Sequence, residues 1–235
     1  KLPVINIEWD HFCLRCIELF KNKCTNKMSI IFIEHLKDNK IIGLWHITET
    51  LEELKSKISL FAQDELYFTK KRTLNKKREW LASRILLQEM SNHPWKIAYD
   101  PFGKPLDLDQ KFNLSVSHSH AYSTALIDQT SCVGIDVQKM KIPFQTGHDY
   151  FLNATEMKWI DPSNNELINL IWSAKETIYK FAGIFELNFK EAITIFPFDL
   201  TQPDPIFCEL RTPAEIKTIS VAYRLFDEYV LTYTI

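Results

Sequence analysis

Two periodicities divide this chain, and they predict its elements. Residues 29–34 (SIIFIE) and 41–47 (IIGLWHI) are β-rich runs around a polar turn holding Lys37, Asp38 and Asn39, the pattern of a hairpin. Thr50 stands three residues before Glu53, a capping box that predicts a helix running to about Ile58. Between Thr73 and Met90 the apolar residues Leu74, Trp80, Leu81, Ile85 and Leu86 recur at helical spacing. They leave a basic face of Lys76, Lys77, Arg78 and Arg84, and Asn92-His93-Pro94 ends the helix. A short apolar run to Tyr99 and a turn over residues 100–105 come next. Strand-like runs follow at 112–117, 121–127 and 132–138. Asn153 precedes Glu156, and Ser163 precedes Glu166, each by three residues, so both predict helix starts. The second helix is expected to reach about Ala182, with an apolar stripe of Leu167, Leu170, Ile171, Ala174, Ile178 and Phe181, and with Gly183 as its cap. Further β-type runs lie at 192–196, 219–225 and 229–233, and residues 1–28 carry no strong motif and read as an N-terminal extension. Strands and helices mix without strict alternation, so the expected class is α+β rather than a doubly wound sheet.

The length of 235 residues is enough for one large domain or two small ones, with a core that needs no disulfide staples. Lys and Arg number 28 against 30 for Asp and Glu, a balance with no general attraction for nucleic acid. A local basic site for a phosphorylated ligand remains open. The five cysteines are odd in number and scattered, which argues for a reducing compartment. Cys13 and Cys16 form a C-x-x-C, but no second pair follows at zinc spacing; with Phe12, Ile17 and Phe20 they are expected to line one face of a short helix rather than to serve a metal or redox role. No apolar run approaches the ~18 residues of a membrane span and no signal-peptide pattern opens the chain, so a cytoplasmic protein is expected. A monomer is the expected state.

Glycine is scarce, five in all, and three of the five fall in segments with chemical potential. Phe102-Gly103-Lys104-Pro105 joins a permissive backbone to a phosphate-seeking charge, though it is also ordinary turn chemistry. In residues 112–119 a period of two puts Phe112, Leu114 and Val116 on one face and Asn113, Ser115 and Ser117 on the other. The run ends in Ser117-His118-Ser119, hydroxyls and an imidazole that can meet an anion. In residues 133–138, Val133, Ile135 and Val137 face one way, while Asp136 and Gln138 face the other, about 7 Å apart. A carboxylate in so apolar a strand needs a partner or a hard cation such as Mg²⁺. Trp172, Glu176 and Lys180 recur every four residues on one helix face, a spacing that also suits an ordinary ion pair.

Taken in order, Gly-Lys-Pro, the Ser-His-Ser strand, Gly134-Ile-Asp136-Val and Trp172-x-x-Lys175-Glu176-x-x-x-Lys180-x-x-Gly183 resemble the Sfp-like 4′-phosphopantetheinyl transferases. The resemblance is strong from Phe102 to Gly183 and extends weakly upstream through the basic helix. It implies two similar α/β lobes related by pseudo-twofold symmetry, here residues 29–128 and 129–235, with the active site between them. It implies transfer of the 4′-phosphopantetheine group of coenzyme A to a serine of an apo acyl or peptidyl carrier protein, with Mg²⁺ as cofactor. On the same ground Phe102, Gly103, Lys104 and Pro105 are expected against the adenine. Ser117 and His118, joined by Arg78, are expected at the 3′-phosphate. Asp136 and Glu176 are expected to hold the metal with Gln138 beside them, Glu176 to act as base and Lys180 to contact the pyrophosphate.

The metal strand departs from the family pattern. Most members carry Asp-x-Glu there, and this chain has Asp136-Val-Gln138. One negative charge is missing, which leaves open a homologue that only binds coenzyme A or a carrier.

Overall fold

The computed structural model describes residues 29–142, 147–184, 186–202 and 204–235. The C-x-x-C and the rest of residues 1–28 lie outside them.

Four strands, β1 (Ile30–His35), β2 (Ile41–His46), β5 (Asn113–Ser119) and β6 (Tyr122–Asp128), form an antiparallel sheet in the order β1-β2-β6-β5. Five others, β7 (Ile135–Lys139), β8 (Ile193–Ile195), β9 (Ile206–Arg211), β10 (Ile216–Phe226) and β11 (Tyr229–Thr234), form a second sheet in the order β7-β11-β10-β9-β8. A two-stranded piece pairs β3 (Ile97–Tyr99) with β4 (Pro105–Asp107). The helices among the described residues are α1 (Leu51–Ser56), α2 (Ala62–Thr69), α3 (Leu74–Met90), α4 (His148–Phe151), α5 (Asn165–Ala182) and α6 (Phe189–Ala192). The class is α+β.

Three cores stack these elements into layers. One joins α3 to the first sheet through Trp45, Trp80, Leu81, Ile85, Leu114 and Ile127. A second lies between the sheets, with Ile42, Leu44 and Leu126 facing Ile135, Val137, Leu231 and Tyr233. The third joins the second sheet to α5 through Leu170, Ile171, Ala174, Ile178, Val221 and Val230. The alternation read in the sequence produces this stacking. Ile135 and Val137 of β7 enter the middle core, so Asp136 is turned toward α5.

The two sheets also meet along β5 and β7. β7 is an edge strand, and an edge carries N–H groups that need acceptors. Serines at alternate positions of β5 supply them: the Ile135 N–H donates to Ser115 Oγ at 3.2 Å and the Lys139 N–H to Ser119 Oγ at 3.0 Å. Across the middle core the Arg224 guanidinium donates twice to the Glu34 carboxylate, at 2.9 and 2.6 Å, and lies over the Phe32 ring.

Several caps form where the sequence places them. Thr50 and Glu53 close a full capping box on α1, Thr73 caps α3, and Gly183 ends α5 in the left-handed conformation. Others shift. Ser163 bonds to Asp161, so Asn164 takes over as the cap of α5. Asn153 and Glu156 make their reciprocal bonds, yet only a 3-10 turn follows, because the Glu156 carboxylate also binds Lys175 and the Ile195 N–H. Arg84, expected on the basic face of α3, is buried against the Trp80 ring and donates to Tyr99 Oη at 2.8 Å.

Candidate active site

Gly134 sets the distance between β7 and α5. A Cβ at this position would overlap the Thr177 carbonyl oxygen and crowd Phe181, so the helix lies on the strand's backbone. That approach brings α5 side chains against Asp136. The Asp136 carboxylate accepts from Ser117 Oγ at 2.9 Å and Lys180 Nζ at 2.8 Å on one oxygen. Its other oxygen accepts from Ser173 Oγ at 2.9 Å. Ser173 in turn shares a hydrogen bond with Thr232 Oγ1, which faces Asp136 across the β7–β11 ladder, and Thr232 bonds Thr177. Burying a carboxylate is costly unless its lone pairs are met, and here three donors meet them.

Trp172, Glu176 and Lys180 do share one face of α5, and that face closes a cavity of ≈ 380 Å³ against β5 and β7. Ser117, His118, Asp136 and Gln138 line it from the strands. Burial pushes the Glu176 carboxyl above its usual range, and the Asp136 charge adds to this while Lys180 opposes it. The neighbouring Lys175 points the other way, into the core. It is fully buried, and its Nζ donates to Glu156 and to the carbonyls of Phe151, Phe189 and Ile193. Lys175 thus fixes the rotation of α5, which presents Glu176 to the cavity.

Gln138 donates through Nε2 to the Asn169 carbonyl at 3.0 Å, leaving the oxygen of the same amide to offer. Among the described residues no group of three His, Cys, Asp or Glu side chains is placed to hold a metal. The donor set is nonetheless one for a hard cation: Asp136 and Glu176 carboxylates facing one cavity, the Asp136 charge disfavouring that of Glu176 in the way a cation relieves, and an amide oxygen beside them. With two carboxylates, such a cation would need ligand phosphates to complete its shell.

The residues expected at the nucleotide end fall in three places. His118 Nε2 lies 3.1 Å from Glu79 Oε2, and its pKa is pushed down to about 4 chiefly by burial, with Lys76, Lys180 and Lys71 adding and Glu79 opposing. The Lys104 side chain lies over Gly183, where any Cβ would strike it, so the Gly-Lys-Pro turn reaches the C-terminal end of α5. Phe102 in that turn is exposed. Arg78 is not in the cavity wall; its guanidinium donates to the carbonyls of Glu49 and Ile47 at 2.8 and 3.2 Å. Ser173, Thr232, Lys71, Lys76 and Glu79 were not singled out as site residues from the sequence. Ser173 had a local signal, since it stands one turn before Glu176 on the same helix.

Residues 132–234 match the family model described as the 4′-phosphopantetheinyl transferase superfamily. The chain carries a domain of that superfamily. No curated protein sequence matches the chain. The matched transferase domain contains Asp136, Gln138, Glu176 and Lys180, whereas Phe102–Pro105, Ser117 and His118 precede it. The match supports a transferase of the phosphopantetheinyl kind. Among the described residues no helix is long and apolar enough to cross a membrane.

Proposed function

We propose that this protein transfers 4′-phosphopantetheine from coenzyme A to a serine of an apo acyl or peptidyl carrier protein and releases 3′,5′-ADP. The observation that carries the reading is the single cavity faced by Ser117, His118, Asp136, Gln138, Glu176 and Lys180, four of them inside the matched domain. Residues 29–128 and 129–235 serve as the two lobes, each a sheet backed by a long helix, with the cavity at their seam.

In this reading the pyrophosphate of coenzyme A lies beside Lys180, and its nucleotide end extends toward His118 and the Lys104 turn. Asp136 and Glu176, with the Gln138 amide oxygen, would hold Mg²⁺. When bound, Mg²⁺ would neutralise charge on the pyrophosphate oxygens. Glu176, directly or through a water, takes the proton of the carrier serine, and its raised pKa strengthens it as a base. The serine oxygen forms a bond to the pantetheine-side phosphorus as the bond to the ADP-side oxygen breaks. Lys180 stabilises the charge left on 3′,5′-ADP.

Incubating apo carriers with the protein, coenzyme A and Mg²⁺ tests this by mass spectrometry; the expected result is a mass gain of one phosphopantetheine. A second reading, a homologue that binds coenzyme A without transfer, draws on one observation: Lys180 and two serines already occupy the Asp136 carboxylate. Binding of coenzyme A with no mass gain across acyl and peptidyl carriers would establish it.

A further inference from the structure

Glu79 is a carboxylate among cations, in the place where the proposed function puts the nucleotide end of the donor. It sits on α3 and is only 5% exposed. Lys76 Nζ donates to its Oε2 at 2.7 Å, and His118 Nε2 lies 3.1 Å from the same oxygen. Lys71, half-buried, feels the charge of Lys76 and adds its own to His118, as does Lys180. Two nitrogens converging on one anionic oxygen is the arrangement that receives a phosphate oxygen. Here the oxygen belongs to the protein.

We propose that the Glu79 carboxylate is a built-in counter-anion that stands in for the donor's 3′-phosphate, so that this chain demands little of that phosphate and accepts coenzyme A and dephospho-coenzyme A alike. The inference rests on the reading of His118 as a nucleotide-end residue. Its physical basis is charge. Beside a neutral His118, Lys76 and Glu79 cancel, so an incoming phosphate meets a carboxylate already holding the donors it would need. A phosphate gains little there, and its absence costs little. The opposite role for Glu79, holding His118 in position to grip the phosphate, makes the opposite prediction for the same variant.

The test is titration calorimetry of the full chain with coenzyme A and with dephospho-coenzyme A. Wild-type protein is expected to bind the two within about threefold of each other, well short of one charge-assisted contact. Glu79→Gln keeps the shape, removes the charge and frees Lys76 and His118; it should bind coenzyme A about tenfold tighter while dephospho-coenzyme A stays within about twofold. Lys76→Met provides a second variant at a side chain that is 56% exposed, and so spares the core. It leaves Glu79 facing the phosphate with one cation fewer, and should weaken coenzyme A selectively. A wild type that prefers coenzyme A by tenfold or more, or a Glu79→Gln protein whose preference is unchanged or reduced, would overturn the proposal. Failure of both ligands to bind any of the three proteins would instead overturn the nucleotide-end reading beneath it.

Discussion

Lys180 Nζ lies 2.8 Å from Asp136 Oδ1, and the two residues come from different elements, α5 and β7. The pair links the expected metal carboxylate to the expected pyrophosphate contact, so in the proposed reaction Lys180 would turn from Asp136 toward the ligand as charge develops. Asp136 is also the hub for Ser117 and Ser173. Asp136→Ala is expected to abolish carrier modification while the fold persists. Ser173 keeps Thr232 as a partner, and Lys180, 26% exposed, can reach solvent. The stability loss should be about 1–3 kcal/mol, the cost of unmade buried hydrogen bonds. Carrier mass shift and urea denaturation measure the two effects; near-normal turnover would remove Asp136 from the site.

Gln138→Glu restores the charge missing from the Asp-x-Glu pattern, and the structure makes its consequence two-sided. The wild-type amide donates to the Asn169 carbonyl. A carboxylate cannot donate, so that hydrogen bond is lost and the new charge is repelled from the carbonyl oxygen. We expect Mg²⁺ to bind the wild-type chain weakly without coenzyme A and clearly with it. Gln138→Glu should tighten binding in the absence of coenzyme A and cost about 1–3 kcal/mol of stability. Calorimetry with and without coenzyme A decides it. Tight Mg²⁺ binding by wild type alone, or unchanged affinity in the variant, would place the metal elsewhere.

Lys175 and Glu156 are both buried, and Lys175 Nζ has acceptors on four residues. Burial pulls the Lys175 pKa down, against the pull of Glu156. Removing one member leaves the other's charge in the core. Lys175→Met is therefore expected to cost about 3–5 kcal/mol. Adding Glu156→Gln should return about 1 kcal/mol or more, because the stranded charge goes with it. Strict additivity in urea denaturation would show that the pair is not coupled.

How much of this was legible depended on the range of each interaction. Local signals translated directly. Thr50 and Glu53 closed their box, and the period-two faces of β5 and β7 put Leu114 and Ile135 in cores, with Ser117 and Asp136 on the opposite sides. Competition between neighbours shifted others by a residue, as when Asp161 drew Ser163 away from the α5 cap. α2 escaped because its N-cap is Phe61, with no side-chain cap to announce it. β9 escaped although Ile206, Cys208 and Leu210 alternate with exposed Phe207 and half-buried Glu209, since it lies between Pro205 and Pro213 in a segment that reads as loop. The contacts around Asp136 were out of reach: Ser173 is 37 positions away and reaches it only because Gly134 lets α5 settle on the strand. The same holds for Glu79 and His118, which meet only when α3 packs on the sheet.

The last prediction concerns acid. The folded-state pKa of His118 is pushed below the ordinary histidine value of 6.5, to about 4, with burial the first cause and Lys76, Lys180 and Lys71 adding to it. A group with a depressed folded pKa binds more protons when unfolded, so stability rises with pH across the window between the two values. The contribution is fully present above about pH 6.5 and is lost as pH falls through about 4. The His118 side chain is 36% exposed, so solvent softens the slope without changing its sign. Carboxylates titrate near the lower end of this window, which makes the upper half, above about pH 5, the diagnostic part. His118→Asn removes the titrating group while keeping a polar side chain. Urea midpoints measured at several pH values should fall from about pH 7 to 5 in the wild type, and less steeply in the variant. Parallel slopes for the two proteins would mean that His118 titrates normally, and that the cations around it are screened.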